Sequence, residues 1–459
     1  MNNFVPVDQI RTALGDARLQ KAIYGSTARL QDKRSHALED LPEFQELRAQ
    51  AQRVKTHTIG HLDQYLIELE TNVRANGGEV IWAETAEEAV AFVLDLARRE
   101  GVKRAVKSKS MTTEEIDLNE KLEHAGIEVV ETDLGEYILQ LAREKPYHIV
   151  APALHKTRYD VADLFTEKLG VPREEEVEKQ TMIARRVLRE KFLTADLGVT
   201  GANFLIADSG AAVVVENEGN ARLSSTMPRI QVVVAGIEKL LPRAQDLATF
   251  LKILARSATG QALSVYTSFL SGPRRAGEID GPEKFYLVLI DGGRTRVLAD
   301  EHKRESLHCI RCGACLNHCP VYRKIGGHSY PWVYSGPIGA ILSPQFHGAE
   351  REGWLPFASS LCGACGEVCP VKIEIPRILL ELRAQLSAAQ ASVWERLAFR
   401  VWAWTVARPS VYARLAPLAV RLAPLGGFLP PVKNWLSQRE LPNAPPKTLR
   451  ELWRERKPA

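Results

Sequence analysis

The chain has 459 residues, a length that suggests about three domains, and its 45% hydrophobic and 25% charged residues are typical of a soluble globular protein. The first residues lack the features of a secretory signal, and no apolar run reaches the roughly 18 residues that a membrane-spanning helix needs. The formal net charge is +4, but the basic excess lies in residues 391–459, so nucleic-acid binding by the whole protein is not expected. We expect a cytoplasmic protein whose thiols stay reduced.

Residues 1–75 are predicted to be helical, and an alternation of strands and helices follows over residues 76–293. Short apolar segments predict strands at 79–83, 103–107, 127–130, 147–151, 230–234 and 285–290. Amphipathic segments between them predict helices, one of which is long and charged and spans residues 172–193. This layout indicates an α/β domain with a mainly parallel sheet. No glycine-rich nucleotide fingerprint follows these strands, so dinucleotide or ATP binding in the usual way is not supported.

A polar loop follows a predicted hairpin in the α/β domain. Two apolar strands flank the turn at residues 208–210, and the second strand leads into Glu216, Asn217, Glu218, Asn220 and Arg222. Polar side chains at the end of a strand are where α/β sheets place ligands. Glu216, Glu218 and Arg222 are therefore candidates for a catalytic or binding site. The alternative is that the asparagines and the glycine of this loop only form the turn.

All seven cysteines lie in two short segments that are spaced like those of bacterial ferredoxins. The first has the C-x2-C-x2-C-x3-C-P pattern, and the second ends in C-x2-C-x3-C-P. This spacing is typical of ligands to cubane iron–sulfur clusters, because soft thiolates bind iron strongly. Structural zinc needs four ligands, usually in two pairs, and an odd number of cysteines argues against a disulfide scaffold. Residues 294–390 are therefore predicted to be a mainly α ferredoxin-like domain with two [4Fe-4S] clusters.

In two-cluster ferredoxins the fourth cysteine of a segment binds the other cluster. This rule assigns the first cluster to Cys309, Cys312, Cys315 and Cys369. It assigns the second cluster to Cys319, Cys362 and Cys365, which leaves that cluster one thiolate short. The missing position, three residues before Cys362, is Ser359. We expect a four-iron cluster with a fourth ligand other than cysteine, while a [3Fe-4S] cluster and an iron that a partner or substrate reaches stay open.

Residues 391–459 form a basic tail that is rich in tryptophan. It holds Trp394, Trp402, Trp404, Trp435 and Trp453 among arginines. An amphipathic or largely apolar helix is predicted over residues 394–407. Such a helix can make peripheral contact with a membrane surface or dock on a protein. We favour docking, because repeated prolines interrupt the tail.

Four features occur together in this sequence: the run Asn-Glu-Gly-Asn-Ala-Arg-Leu at 217–223, the run Gly-Ile-Glu-Lys at 236–239, the two cysteine segments, and the ending Pro-Pro-Lys-Thr-Leu-Arg-Glu-Leu-Trp at 445–453. In this combination they resemble the lactate utilisation protein B family over nearly the whole chain. The resemblance implies a lactate-utilisation (LUD) domain with an α/β fold like that of CoA transferases and ribose-5-phosphate isomerase. The family also carries three cysteines in its second segment, so Ser359 is no departure from it.

The resemblance also implies a function. The protein would work with lactate utilisation proteins A and C in oxidising L-lactate to pyruvate, as the subunit that carries electrons on iron–sulfur clusters. In CoA transferases of similar fold a catalytic glutamate sits in a comparable turn, which Glu216 or Glu218 matches loosely. The electron acceptor is not indicated, and a flavin, if one is needed, would belong to a partner.

Two other hypotheses stay open. The LUD domain could itself be catalytic and bind lactate or a thioester near Glu218 and Arg222. Alternatively, the protein could be a scaffold that assembles its companions through the basic tail, with clusters that are structural.

Overall fold

The computed structural model describes residues 5–390, 392–422, 436 and 446–456. The chain divides into two compact units, Met1–Ala384 and Gln385–Ala459. Among the described residues, no helix combines the length and the apolar character that crossing a membrane requires.

The first unit contains both helices and strands. Its helices are Val7–Gly15 (α1), Ala17–Glu39 (α2), Phe44–Gly60 (α3), Leu62–Ala75 (α4), Ala86–Arg99 (α5), Met111–Glu115 (α6), Leu118–His124 (α7), Leu134–Ala142 (α8), Arg158–Leu169 (α9), Val177–Leu193 (α10), Asn220–Thr226 (α11), Leu247–Thr259 (α12), Arg294–Leu298 (α13), Ala314–His318 (α14), Tyr322–Ile325 (α15), Gly336–Phe346 (α16), Ala349–Glu352 (α17), Ala364–Glu367 (α18) and Ile375–Gln390 (α19). Its strands are Glu79–Ala83 (β1), Arg104–Lys107 (β2), Glu128–Glu131 (β3), Leu197–Thr200 (β4), Phe204–Ile206 (β5), Ala211–Glu216 (β6), Ile230–Gly236 (β7), Leu240–Leu241 (β8), Tyr266–Leu270 (β9) and Lys284–Ile290 (β10).

The centre of this unit is a six-stranded sheet in which all neighbouring strands are parallel. Its strand order is β1-β10-β7-β4-β2-β3. Every residue of β7 is buried, and so is every residue of β10 after the first, because apolar clusters pack on both faces of the sheet. Strands that are covered on both faces have near-continuous apolar sequences. The predicted α/β class with a mainly parallel sheet is therefore confirmed.

One predicted strand, at residues 147–151, is wrong, because this segment forms bends and irregular backbone. Tyr147 packs against the cysteine-containing part of the chain instead of pairing with a strand. Its carbonyl oxygen accepts a hydrogen bond of 2.9 Å from the hydroxyl of Tyr322. Gly327 also lies against the Tyr147 backbone, where there is no room for a side chain. The long helix predicted at 172–193 forms, but it begins later, at Val177.

A smaller, four-stranded sheet carries the polar loop, with strand order β8-β5-β6-β9. Strands β5 and β6 form the predicted hairpin as an antiparallel pair, with Phe204 opposite Val213. The turn between them requires one residue with a left-handed backbone. That residue is Gly210, with φ of +64°, and glycine adopts this conformation at no steric cost. Strand β6 ends at Glu216, so the candidate site begins where this small sheet ends.

Helices α2 and α3 hold the backbone of the two cysteine segments. Arg48 of α3 donates hydrogen bonds to the carbonyl oxygen of Cys369, at 2.9 Å, and to that of Glu367, at 2.7 Å. Gln31 of α2 donates to the carbonyl oxygen of Asn317 at 2.8 Å. The N-terminal helices therefore help to position the cysteine ligands predicted from the sequence.

The second unit contains the exposed helices Val393–Val406 (α20), Pro409–Leu422 (α21) and Leu449–Glu455 (α22). Helix α20 confirms the helix predicted in the tail. The Ser392 hydroxyl accepts a hydrogen bond from the Glu395 N–H, and the Glu395 carboxylate accepts one from the Ser392 N–H, so the helix starts with a capping box. Its side chains Trp394, Trp402 and Trp404 are each more than half exposed. The predicted Trp435 lies outside the described residues.

Candidate functional site

The two cysteine segments repeat the same backbone conformation. Cys312 and Cys362 occupy equivalent positions in the two segments. The residue before each of them has a left-handed backbone, with φ of +59° at Arg311 and +55° at Leu361. The glycine after that cysteine is left-handed as well, with φ of +74° at Gly313 and +88° at Gly363. A short helix, α14 or α18, then begins with the next residue. The segments are therefore structural repeats of each other.

Within this repeat, Ser359 occupies the position that Cys309 has in the first segment. The Arg311 N–H donates a hydrogen bond of 3.4 Å to the Cys309 Sγ. The Leu361 N–H donates one of 3.2 Å to the Ser359 Oγ. The serine hydroxyl is thus held by the same local contact that holds the cysteine sulfur.

Four of the seven cysteines surround one small enclosed cavity. They are Cys309, Cys312, Cys315 and Cys369, and apolar side chains such as Ile338, Ile373 and Ile375 complete the lining. All seven cysteines are free thiols. Residues from both segments therefore contribute to this cavity, with three thiols from the first and one from the second.

The remaining three cysteines form a second group. The thiol of Cys319 interacts electrostatically with that of Cys362, and the thiol of Cys365 interacts with both. Cys362 is exposed, whereas Cys319 and Cys365 are buried. The second group therefore includes an exposed thiol, whereas the first has three buried thiols and the partly buried Cys309.

The chemistry of these buried thiols fits a soft metal centre. Burial raises the pKa of the Cys369 thiol to about 12 and that of the Cys365 thiol to about 11. Burial and the neighbouring thiols also raise the pKa values of Cys312 and Cys315. Such thiols do not ionise at neutral pH by themselves, whereas iron stabilises their thiolate form. The residues present therefore fit iron–sulfur clusters.

A larger cavity, of about 280 Å³, lies at the end of strand β6 and is lined by Glu216 and Glu218. The Glu216 carboxylate accepts hydrogen bonds from the backbone N–H groups of Ala221, at 2.7 Å, and Arg222, at 2.8 Å. Burial raises its pKa. Glu218 is exposed as a residue, but desolvation of its carboxylate at the cavity wall and the nearby Asp133 raise its pKa to about 7. Both predicted glutamates therefore line one cavity, and one of them can exchange a proton near neutral pH.

Arg222, the third residue predicted for this site, is not among the residues that line the cavity. Its guanidinium carbon lies 5.9 Å from the ring centroid of Tyr266, on strand β9. The structure thus brings the two glutamates together and turns the Arg222 side chain towards the small sheet.

The positive charges of this cavity were not predicted from the sequence. Lys109, Lys239 and Arg311 line it together with Cys312. Lys109 lies two residues after the end of β2. Because α/β sheets bind ligands beyond strand ends, this position could have indicated a binding residue. Lys239 lies in the Gly-Ile-Glu-Lys run, but nothing in the local pattern indicates that its side chain faces the polar loop.

Models of three families match consecutive parts of the chain. A LUD domain model matches residues 66–290, a 4Fe-4S dicluster domain model matches 305–373, and a model named lactate utilisation protein B, C-terminal, matches 382–458. These matches confirm the predicted order of an α/β LUD domain followed by a dicluster domain.

Curated relatives align with nearly the whole chain. Lactate utilization protein B of Bacillus velezensis is 43% identical over 462 residues, which cover 98% of this chain and 96% of that protein. The Bacillus subtilis protein of the same name is 44% identical over 459 residues, with 97% and 95% covered. Among solved structures, a DUF162 family protein from Deinococcus radiodurans matches with 11% identity and a TM-score of 0.29, covering 50% of this chain and 98% of that one. On the sequence matches, the chain belongs to the lactate utilisation protein B family.

Proposed function

We propose that this protein is the iron–sulfur electron-transfer subunit of a system that oxidises L-lactate to pyruvate. The family to which it belongs and its dicluster domain support this proposal. Lactate utilisation proteins A and C are the proposed partners. The observation on which the proposal mainly rests is the group of four thiols from two distant segments around one enclosed cavity.

The proposed ligands of the first cluster are the four thiols of that cavity, Cys309, Cys312, Cys315 and Cys369. The proposed ligands of the second are Cys319, Cys362 and Cys365, with Ser359 at the fourth position. A [3Fe-4S] cluster is the alternative at this second site. When bound, clusters of these types accept and donate single electrons.

The surroundings of the thiols suit a redox role. Backbone N–H groups donate hydrogen bonds to sulfur, from Tyr322 to Cys319 at 3.4 Å and from Ile373 to Cys369 at 3.3 Å. Hydrogen bonds to sulfur and burial are the means by which proteins set cluster potentials. The first group has no exposed thiol and the second includes the exposed Cys362, so the two clusters would differ in potential and in access to a partner.

We also propose the division of the chain into residues 1–75, 76–293, 294–390 and 391–459, and a cytoplasmic location, where thiols remain reduced. The exposed tryptophans of α20 offer a surface for docking on a partner or for peripheral contact with a membrane. Docking on a partner is the form that we propose.

The test of the proposed function is the replacement Cys312→Ala in anaerobically purified full-length protein. We expect the variant to lose iron and near-visible absorbance, and cells that carry it to lose growth on L-lactate. Thr71→Ala, on the exposed side of α4, is the control and should change neither. The proposal is wrong if absorbance and growth both survive in the cysteine variant. It is also wrong if the wild-type protein contains zinc, or iron far below the about eight atoms that two cubanes hold.

A further inference from the structure

The 280 Å³ cavity connects the LUD domain with the first cysteine segment. Glu216 and Glu218 line it from the polar loop, and Arg311 and Cys312 line it from the cysteine segment. Whatever occupies this cavity therefore lies next to a residue that we propose as an iron ligand.

The carboxylates of this cavity already have hydrogen-bond donors. The Glu216 carboxylate accepts hydrogen bonds from the backbone N–H groups of Ala221 and Arg222. Glu218 accepts a hydrogen bond of 3.1 Å from the Leu134 N–H, and Asp133 accepts one of 3.1 Å from the Glu136 N–H. These acidic groups therefore do not require a bound cation to satisfy them.

The two lysines of the cavity have no hydrogen-bond acceptor in the described part of the chain. Lys239 is 7% exposed and lines the cavity, but it makes no hydrogen bond or ion pair with any residue in the described part of the chain. The Nζ of Lys109 is buried without a hydrogen-bond partner and forms only a long ion pair, of 3.9 Å, with the Oε1 of Glu136. Buried ammonium groups are costly unless they are paired and hydrogen-bonded. The unsatisfied groups of this cavity are therefore positive donors, and their natural complement is an anion.

We propose that this cavity is a binding site for a small organic monocarboxylate, with the ammonium groups of Lys239 and Lys109 as its donors. A volume of about 280 Å³ is at the lower limit of ligand pockets, which suits a short acid rather than a nucleotide or a CoA thioester. The choice of a three-carbon 2-hydroxy or 2-oxo acid as the ligand rests on the proposed function. The anionic character of the ligand does not, since it follows from the lysines alone.

A bound carboxylate would act on the neighbouring cysteine segment through its charge. It would lie beside Arg311 and Cys312, where it would offset positive charge close to the proposed first cluster. Less positive charge near a cluster disfavours the reduced state. The reduction potential of the first cluster should therefore fall when the site is occupied.

The test uses ligand-observed NMR on anaerobically purified full-length protein, with L-lactate, pyruvate, the uncharged analogue lactamide and acetyl-CoA as probes. We expect L-lactate or pyruvate to bind and lactamide not to bind. Lys239→Gln and Lys109→Gln should each weaken carboxylate binding by about tenfold or more, because each loses a charge-assisted hydrogen bond. Lys252→Gln, a half-exposed lysine on α12, is the control and should not change binding. Lys239→Arg, which keeps the charge, should retain more affinity than Lys239→Gln.

Several outcomes would overturn the assignment. These are equal binding of lactamide, binding of acetyl-CoA in place of the acids, and unchanged carboxylate affinity in both glutamine variants. If circular dichroism shows that Lys239→Gln is unfolded, Lys109→Gln and Lys239→Arg decide the question. Iron content and redox titration of the same samples keep the two proposals separate. If the protein binds carboxylates but has no reducible clusters, only the electron-transfer role is contradicted. If it has normal clusters but binds no carboxylate, only this binding site is contradicted.

Discussion

The Nη2 of Arg311 lies 3.2 Å from the Oε1 of Glu238, and this ion pair joins the cysteine segment to the end of the main sheet. Glu238 follows β7 in a short 3-10 helix, and Arg311 lies between two of the proposed iron ligands. Arg294 completes the arrangement, with its Nε 2.5 Å from the Oε2 of Glu238 and its Nη2 2.9 Å from the Oε1 of Glu115. Burial would raise the pKa of Glu238, but the two arginines hold it at about 2.

The substitution Glu238→Gln should destabilise the fold strongly. It leaves Arg311 without its carboxylate partner and Arg294 with only Glu115, in a place where Glu238 and Arg294 are almost completely buried. Breaking a buried ion pair by removing one partner costs about 3–5 kcal/mol. The apparent melting temperature of the variant should fall, and iron should be lost together with the native fold. Glu176→Gln, in an exposed pair with Lys179, is the control, and equal melting of both variants would contradict the prediction.

The substitution Ser359→Cys should supply the missing fourth thiolate of the second cluster. Its side chain would start from the position where Ser359 accepts the Leu361 N–H, which matches the contact of Cys309. We expect a changed electron paramagnetic resonance spectrum, with any three-iron signal replaced by that of a four-iron cluster, and better survival in air. Ser360→Cys, one residue away, is the matched control. Identical spectra of wild type and Ser359→Cys would place the fourth ligand elsewhere.

Glu218 should make the stability of the protein depend on pH. Desolvation of its carboxylate and the nearby Asp133 raise its pKa from 4.5 to about 7, so between these pH values the folded state holds a proton that the unfolded state has lost. The free energy of unfolding therefore decreases as the pH rises from about 4.5 to about 7, and stays reduced above that range. Glu218→Gln removes this decrease and should be more stable than wild type at pH 8, by no more than about 1 kcal/mol because solvent screens this exposed side chain, and equal to it at pH 4.

The measurement for Glu218 is the difference in apparent melting temperature between variant and wild type at the two pH values. Glu167→Gln, an exposed carboxyl on α9, should show no such difference. A Glu218→Gln variant that is less stable than wild type at pH 8 would contradict the raised pKa.

The substitution Gly327→Ala should separate residues 147–151 from the cysteine-containing part of the chain. An added Cβ would lie 1.8 Å from the Tyr147 carbonyl oxygen and 2.6 Å from its carbonyl carbon, so the backbone has to move. Overpacking of this kind typically costs about 1–3 kcal/mol. We expect a lower melting temperature and faster loss of iron in air. Gly25→Ala, inside α2 with no atom within 4 Å of the added Cβ, should be neutral or stabilise the helix.

Local patterns predicted much of the fold because they reflect interactions between neighbours in the sequence. Apolar runs predicted strands such as β7, and the turn residues ending at Gly210 predicted the hairpin. The same reasoning was wrong at residues 147–151, where an apolar segment packs on Tyr322 instead of joining the sheet. Strand propensity indicates a segment that can be buried, but it does not specify the surface that buries it.

The sequence by itself determined the residue types and spacing of the cysteine segments, the α/β class and the family, since ligand spacing and strand periodicity are properties of short stretches. Only the tertiary structure decided that Cys369 joins Cys309, Cys312 and Cys315 around one cavity. It also decided that Lys109 and Lys239 face the same cavity as Glu218. These residues are far apart in the chain, and their proximity results from the packing of helices and sheets, which no local pattern records.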